Sequence, residues 1–155
     1  MRLEYWKIAP ESIKALAGVS AYLDHASIDV ALRAFVELRV SQINGCAYCV
    51  DIHADQPRNA GQSTQRIDCV AAWREAHGVY TDRERAAVAW AESVTHIGSA
   101  PLGRGPGVPD AVYDEARRHF SEKEIVDRNM IVAVMNAWNR IAVPYGRGPA
   151  RRAGG

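Results

Sequence analysis

Along residues 27–43 apolar side chains return at Ile28, Ala31, Phe35 and Leu38, at intervals of three, four and three. That period matches one face of an α-helix and predicts a helix with a single buried stripe. Asn44-Gly45 then supplies a stop, because glycine adopts the left-handed conformation that ends helices. A new helix is expected to begin near Cys46. Upstream, residues 1–10 carry no period and are expected to be irregular, while Pro10-Glu11-Ser12 suits the start of a helix running to Gly18. Further helices are predicted over residues 64–76, 81–95, 110–119 and 121–142. Two of them open with capping boxes, Thr81 with Glu84 and Ser121 with Glu124.

From Met130 to Val143 the last helix is apolar nearly all round, which calls for a place in the centre of the core or for cover by another subunit. The glycines of residues 98–109 raise the idea of a phosphate cradle. Interrupting prolines, no preceding strand and no Gly-Lys-Ser/Thr argue for a plain surface connector. No alternating strand pattern of useful length and no internal repeat are seen. The expected fold is all-α, one domain over residues 1–145, with a disordered tail of Gly, Arg, Pro and Ala over 146–155.

Composition narrows the function classes without choosing among them. The chain has 155 residues, 48% apolar and 24% charged, with a net charge of +1, the profile of a soluble globular protein. Nothing in that balance points to nucleic acid or an anionic membrane. No apolar run approaches the ~20 residues that span a bilayer, and the N-terminus lacks the apolar segment of a signal peptide. A cytoplasmic location is expected, where a CxxC pair serves catalysis or metal binding more often than structure.

The chemistry concentrates in Cys46-Ala47-Tyr48-Cys49-Val50-Asp51-Ile52-His53. On a helix, Cys46, Cys49 and His53 fall at i, i+3 and i+7, on one face. A free thiol near pKa ~8.5 is mostly protonated at neutral pH, and the thiolate is the reactive form. A helix N-terminus, a histidine one turn away and a neighbouring thiol each favour that thiolate. Cys49, nearer His53, is expected to attack, and Cys46 to resolve the product as a disulfide. A zinc site would need a fourth ligand, and no second CxxC or HxxxH exists. A thioredoxin-like site would follow a strand, and a purely structural pair fits poorly beside Asp51 and His53. No metal or cofactor is expected. Cys69 reads as a core thiol, Trp73, Trp90 and Trp138 as core aromatics, and Asn136 and Asn139 as amides that either cross a subunit contact or line the thiol cavity.

The run Glu37-Leu38-Arg39-Val40-Ser41-Gln42-Ile43-Asn44-Gly45-Cys46-Ala47-Tyr48-Cys49-Val50-Asp51-Ile52-His53 resembles the core of the AhpD-like alkylhydroperoxidases of the carboxymuconolactone decarboxylase superfamily. The resemblance continues at Ala72-Trp73-Arg74-Glu75-Ala76, Thr81-Asp82-Arg83-Glu84, His119-Phe120-Ser121-Glu122 and Asn136-Ala137-Trp138-Asn139-Arg140. It implies a helical protomer that assembles as a homo-oligomer (dimer, trimer or hexamer) and reduces organic hydroperoxides or hydrogen peroxide. Electrons would come from a dithiol reductant such as a lipoyl carrier. By the family pattern Cys49 matches the peroxidatic thiol, Cys46 the resolving thiol and His53 the relay histidine.

The pattern also departs. The family's relay glutamate stands twelve residues before the first cysteine, where this chain has Ala34. Glu37, one turn along, either supplies the carboxylate by a displaced route or is a solvated surface charge. Tyr48 stands where some members carry another relay histidine. An alternative function follows from these changes: a redox-sensing or interaction module whose dithiol switches with little turnover. The superfamily's namesake decarboxylation gives no reason for a CxxC.

Overall fold

The computed structural model describes residues 1–99 and 107–149. Every regular element among them is helical: α1 Tyr5–Ile8, α2 Pro10–Leu23, α3 Val30–Ile43, α4 Ala47–Asn59, α5 Thr64–Cys69, a short 3-10 turn Val70–Ala72, α6 Asp82–Thr95, α7 Asp110–His119 and α8 Glu122–Ala142. The all-α expectation holds. Residues 100–106 of the expected connector and 150–155 of the expected tail lie outside the described residues.

Helix α3 is the axis of the molecule. Its expected single stripe is too narrow: Leu32, Ala34, Phe35, Val36, Glu37, Leu38, Val40 and Ser41 are all buried, covering most of its circumference. Such a helix must be surrounded, and α4, α6 and α8 pack on it. One apolar cluster joins Leu32, Val36 and Val40 to Ala87, Ala91, Ile131 and Val132. A second puts Phe35 and Leu38 against Ile67, Val70, Trp73, Tyr80 and Val88.

Several boundaries differ from expectation for local reasons. α3 starts at Val30 and not at Ser27, because Asp29 is its N-cap and accepts from the Leu32 amide at 2.9 Å. Ser27 instead donates from its hydroxyl to Asp127 Oδ2 at 3.0 Å, tying the turn to α8. The helix expected over 64–76 stops early. α5 gives way to the 3-10 turn at Val70, and beyond it Arg85 donates to the carbonyls of Trp73 and Arg74, at 2.9 and 3.2 Å. Residues 5–8, expected to be irregular, form one helical turn, too short to show a period. α2 continues past Gly18 to Leu23, with open space around the glycine. Both capping boxes are present as read.

The corner between α3 and α4 positions the thiols. Gly45 takes φ +65°, its amide bonds the Gln42 carbonyl at 3.2 Å, and the Cys46 amide reaches back to Ser41 O at 3.0 Å. This is a Schellman closure, which turns the chain sharply while satisfying the last carbonyls of α3. Asn44 then anchors the corner to α8, its amide nitrogen donating to Asn136 Oδ1 and Asn139 Oδ1, both at 2.9 Å.

Asn139 is buried and also donates to Ser41 Oγ at 3.4 Å. Asn136 donates to Thr95 Oγ1 at 3.1 Å, so both amides on α8 find partners within one chain. Apolar surface is nonetheless left on α8, with Val126 61% and Met130 39% exposed.

A side chain at position 45 must accept a left-handed backbone that costs roughly 1–2 kcal/mol outside glycine. Gly45→Ala should therefore lower the melting temperature by about 2–8 °C, given a shift of about 2–4 °C per kcal/mol in a domain of this size. Thermal unfolding followed by circular dichroism checks this, and an unchanged midpoint would show that the corner tolerates a Cβ.

Candidate active site

Cys46 is the N-cap of α4, with extended φ −85° and ψ 91°, and its sulfur accepts the Cys49 amide at 3.3 Å. The two cysteines are joined as a disulfide, Cα to Cα 5.3 Å. Helix geometry brings them together, since positions three apart sit on one face. Both are nearly inaccessible, Cys46 at 1% and Cys49 at 3%. They differ in what they face. Cys49 lines a cavity of about 360 Å³, and Cys46 does not. A sulfur at a helix N-terminus meets unpaired amides and the positive end of the dipole, so Cys46 suits a stabilised thiolate. Cys49 suits contact with whatever enters.

The cavity is walled by Tyr5 and Trp6 of α1, Tyr48 and Ile52 of α4, and Val134, Met135 and Trp138 of α8. Its polar groups are few. His53 follows Cys49 by one helical turn and shares the lining with Glu37, Arg33 and Gln56. His53 Nδ1 lies 2.8 Å from Gln56 Oε1 and 3.3 Å from Glu37 Oε2, two acceptors. Two acceptors keep a proton on Nδ1, so Nε2 is the nitrogen at which the ring gains or gives up its second proton.

Glu37 is only 7% exposed and receives Arg33 Nε at 2.9 Å, while Arg33 Nη1 reaches Asp24 at 2.7 Å. Burial pushes the Glu37 carboxyl up, but the hydrogen bond and charge of His53, and then Arg33, outweigh it and hold the group below its ordinary value. The chain Asp24–Arg33–Glu37–His53 therefore runs from the surface to the thiol cavity with acceptors and donors alternating.

The structure thus brings Cys46, Cys49, His53 and Glu37 together on facing stretches of α3 and α4. Glu37 is not a solvated surface charge, which removes one of the two readings that its position left open. Ala34 is buried at 2% in the core. Asn136 and Asn139 do not line the cavity; they hold the Asn44 corner instead. Trp138, expected in the core, is half-buried on the cavity wall and donates to Ser20 Oγ at 3.0 Å. Cys69 is free and only partly buried, at the end of α5. Among the described residues no group of three His, Cys, Asp or Glu is placed to hold a metal ion.

Sequence reasoning missed Arg33, Tyr5, Trp6 and Arg147. Arg33 was readable, four residues before Glu37 on one helix face. The other three come from the chain ends, where no local pattern marks them. Arg147 stands in the segment expected to be disordered, yet its guanidinium lies over Tyr48 at 3.8 Å and its Nη1 donates to the Tyr5 hydroxyl at 2.9 Å.

Residues 10–93, just over half of the chain and including Cys46, Cys49 and His53, match the model of the carboxymuconolactone decarboxylase family. The uncharacterised protein YdfG of Bacillus subtilis is 38% identical, over 97% of this chain and 98% of its own. The crystal structure of ATU0492 from Agrobacterium tumefaciens, a protein of unknown function proposed to be the antioxidant defence protein AhpD, superposes with a TM-score of 0.89. It is 36% identical, covering 97% of this chain and 99% of its own. The debrominase Bmp8 shares the fold at a TM-score of 0.75 and 19% identity, covering 91% of this chain and 72% of its own.

Replacing Glu37 by Gln removes the charge that Arg33 and His53 share, at an expected cost of roughly 1–3 kcal/mol at neutral pH. The folded carboxyl titrates below its ordinary value of 4.5, so on acidification the unfolded chain takes up the proton first. The wild-type advantage over Glu37→Gln should be full above about pH 5 and fade as pH falls through 4.5 and below. Urea unfolding of both proteins from neutral to acid pH tests it; a pH-independent gap would mean that Glu37 is not held ionised.

Proposed function

The chain belongs to the carboxymuconolactone decarboxylase family, in its AhpD-like branch, and from that premise we propose a thiol-dependent peroxidase that reduces organic hydroperoxides or hydrogen peroxide. The observation that carries the proposal is that Cys49 alone of the two thiols lines the cavity, beside His53, whose Nδ1 faces Gln56 and the Glu37 carboxylate.

In the reduced protein His53 Nε2 takes the Cys49 proton. The Cys49 thiolate attacks one peroxide oxygen, the O–O bond breaks, and the leaving alkoxide receives that proton as an alcohol. Cys49 is now a sulfenic acid. Cys46, whose thiolate the start of α4 favours, attacks the Cys49 sulfur and expels hydroxide, which leaves as water with the Cys46 proton. The product is the Cys46–Cys49 disulfide. An external dithiol, by family analogy a lipoyl carrier, returns two electrons and two protons. Cys46 is the better leaving thiolate in that step, and release of Cys49 restores the sulfur that faces the cavity.

No helix among the described residues is long and apolar enough to cross a membrane. Assembly into a homo-oligomer fits the apolar strip that α8 leaves open at Val126 and Met130. A cytoplasmic setting fits a thiol pair that must be re-reduced.

Treatment of the reduced protein with cumene hydroperoxide should consume both thiols of the pair, with one alcohol formed per disulfide. Cys49→Ser should consume none, whereas Cys46→Ser should stop at a sulfenic acid that dimedone traps at Cys49 and mass spectrometry locates. If both thiols stay free, the peroxidase reading is wrong. Should the pair oxidise once but fail to turn over with dihydrolipoamide, the redox-sensing alternative takes its place.

A further inference from the structure

The cavity beside Cys49 holds one cation that nothing in the proposed chemistry uses. Of the two guanidinium groups that line it among the described residues, Arg33 is committed to Glu37 and Asp24. Arg147 forms no ion pair with an acid among the described residues. Its described contacts are the Tyr5 hydroxyl, at 2.9 Å, and the ring faces of Tyr48, Trp6 and Tyr5, at 3.8, 4.8 and 5.9 Å. A guanidinium has five N–H donors, and one of these is taken up by Tyr5.

The placement of Arg147 is built rather than incidental. The Arg2 amide donates to Tyr145 O at 2.7 Å and Arg2 Nη1 to Pro144 O at 3.2 Å, so the two chain ends are tied together. Tyr5 and Tyr145 pack ring to ring at 5.3 Å, and Gly146 turns the chain at φ +66° to bring Arg147 inward. Aromatic faces hold the cation in place without neutralising it.

Charge in the cavity is consequently one-sided. The one acidic lining residue among those described is Glu37, already shared between Arg33 and His53. Apart from the uncharged polar groups of Ser20 and Gln56, the rest of the described wall is mostly apolar or aromatic. A cavity of about 360 Å³ lies at the small end of ligand sites, room for one ring with a short substituent.

We propose that Arg147 is the anion anchor of the thiol cavity, and that the site selects compact hydroperoxides with an apolar or aromatic body and a carboxylate. The carboxylate pairs with the Arg147 fork, the body lies on Trp138 and Met135, and the peroxide reaches Cys49. The substrate class rests on the peroxidase reading given above; the anion anchor itself does not.

Two measurements on the full chain separate them. The first compares the oxidation rate of the reduced thiols by cumene hydroperoxide and by its para-carboxylate at neutral pH. The carboxylate should react about tenfold faster, as one charge-assisted pair implies. Arg147→Gln should abolish that preference, and Arg147→Lys should keep part of it. The second uses unreactive ligands on the oxidised protein: para-isopropylbenzoate should bind about tenfold tighter than its carboxamide by calorimetry, and Arg147→Gln should equalise the two. If the benzoate binds no tighter than the carboxamide, or if Arg147→Gln weakens both alike, the anchor is refuted and Arg147 only props the wall. If the benzoate binds through Arg147 while neither hydroperoxide oxidises Cys49, the anchor stands and the peroxidase reading falls.

Discussion

Everything at this site hangs on the corner at Asn44-Gly45. A helix that ends and another that begins four residues later must change direction without leaving buried carbonyls unpaired. Gly45 in the left-handed region does this, and the Cys46 amide that closes onto Ser41 is the amide of the first thiol residue. Closing α3 and starting α4 are one event. Asn44 then fixes the corner against α8 through Asn136 and Asn139, so the orientation of α4 is set by hydrogen bonds with directional demands as well as by apolar packing. Move the corner and Cys49, His53 and Glu37 lose their common cavity, because Glu37 comes from one side of it and the other two from the far side.

That dependence explains which parts were legible in the sequence. Local features were: both capping boxes, the Asn-Gly stop, the CxxC at a helix start and the helical class all follow from interactions within a few residues. What the sequence could not display was the company kept by α3. A stripe of Ile28, Ala31, Phe35 and Leu38 suggests a surface helix, yet Val36 and Val40 on the other side are equally buried. Only neighbours distant along the chain, α6 and α8, reveal that. The same holds for Glu37. Its charge alone suggests solvent, and its burial becomes affordable once Arg33 on its own helix and His53 on the next are counted.

The chain ends were the least legible part of the site. Tyr5 and Trp6 sit on a single helical turn, and Arg147 follows a glycine in a stretch whose composition reads as disorder. Each acquires a place through the other: Arg2 pairs with Pro144 and Tyr145, and Arg147 stacks on the rings that α1 supplies. Partners some 140 residues apart are invisible to any window-based argument. Apolar periodicity located the core, and it could not locate the far wall of the cavity.

Glu37 reaches the thiol cavity from one turn along α3 from Ala34. Positions 34 and 37 on α3 differ by about 4.5 Å along the helix axis and about 60° around it, so a long side chain at either can reach the same region. The remaining partner cannot serve both. Arg33 stands four residues before Glu37, the spacing at which side chains on a helix meet, and its Nε lies 2.9 Å from the carboxylate. An acid at position 34 would be its immediate neighbour in sequence and would point elsewhere around the helix. Carboxylate and guanidinium therefore belong to one arrangement, in which Arg33 offsets the burial of Glu37 and leaves the second carboxylate oxygen to His53. Ala34, small and buried, packs in the core, and the carboxylate that reaches the thiol cavity stands three residues nearer to the corner that sets the thiols.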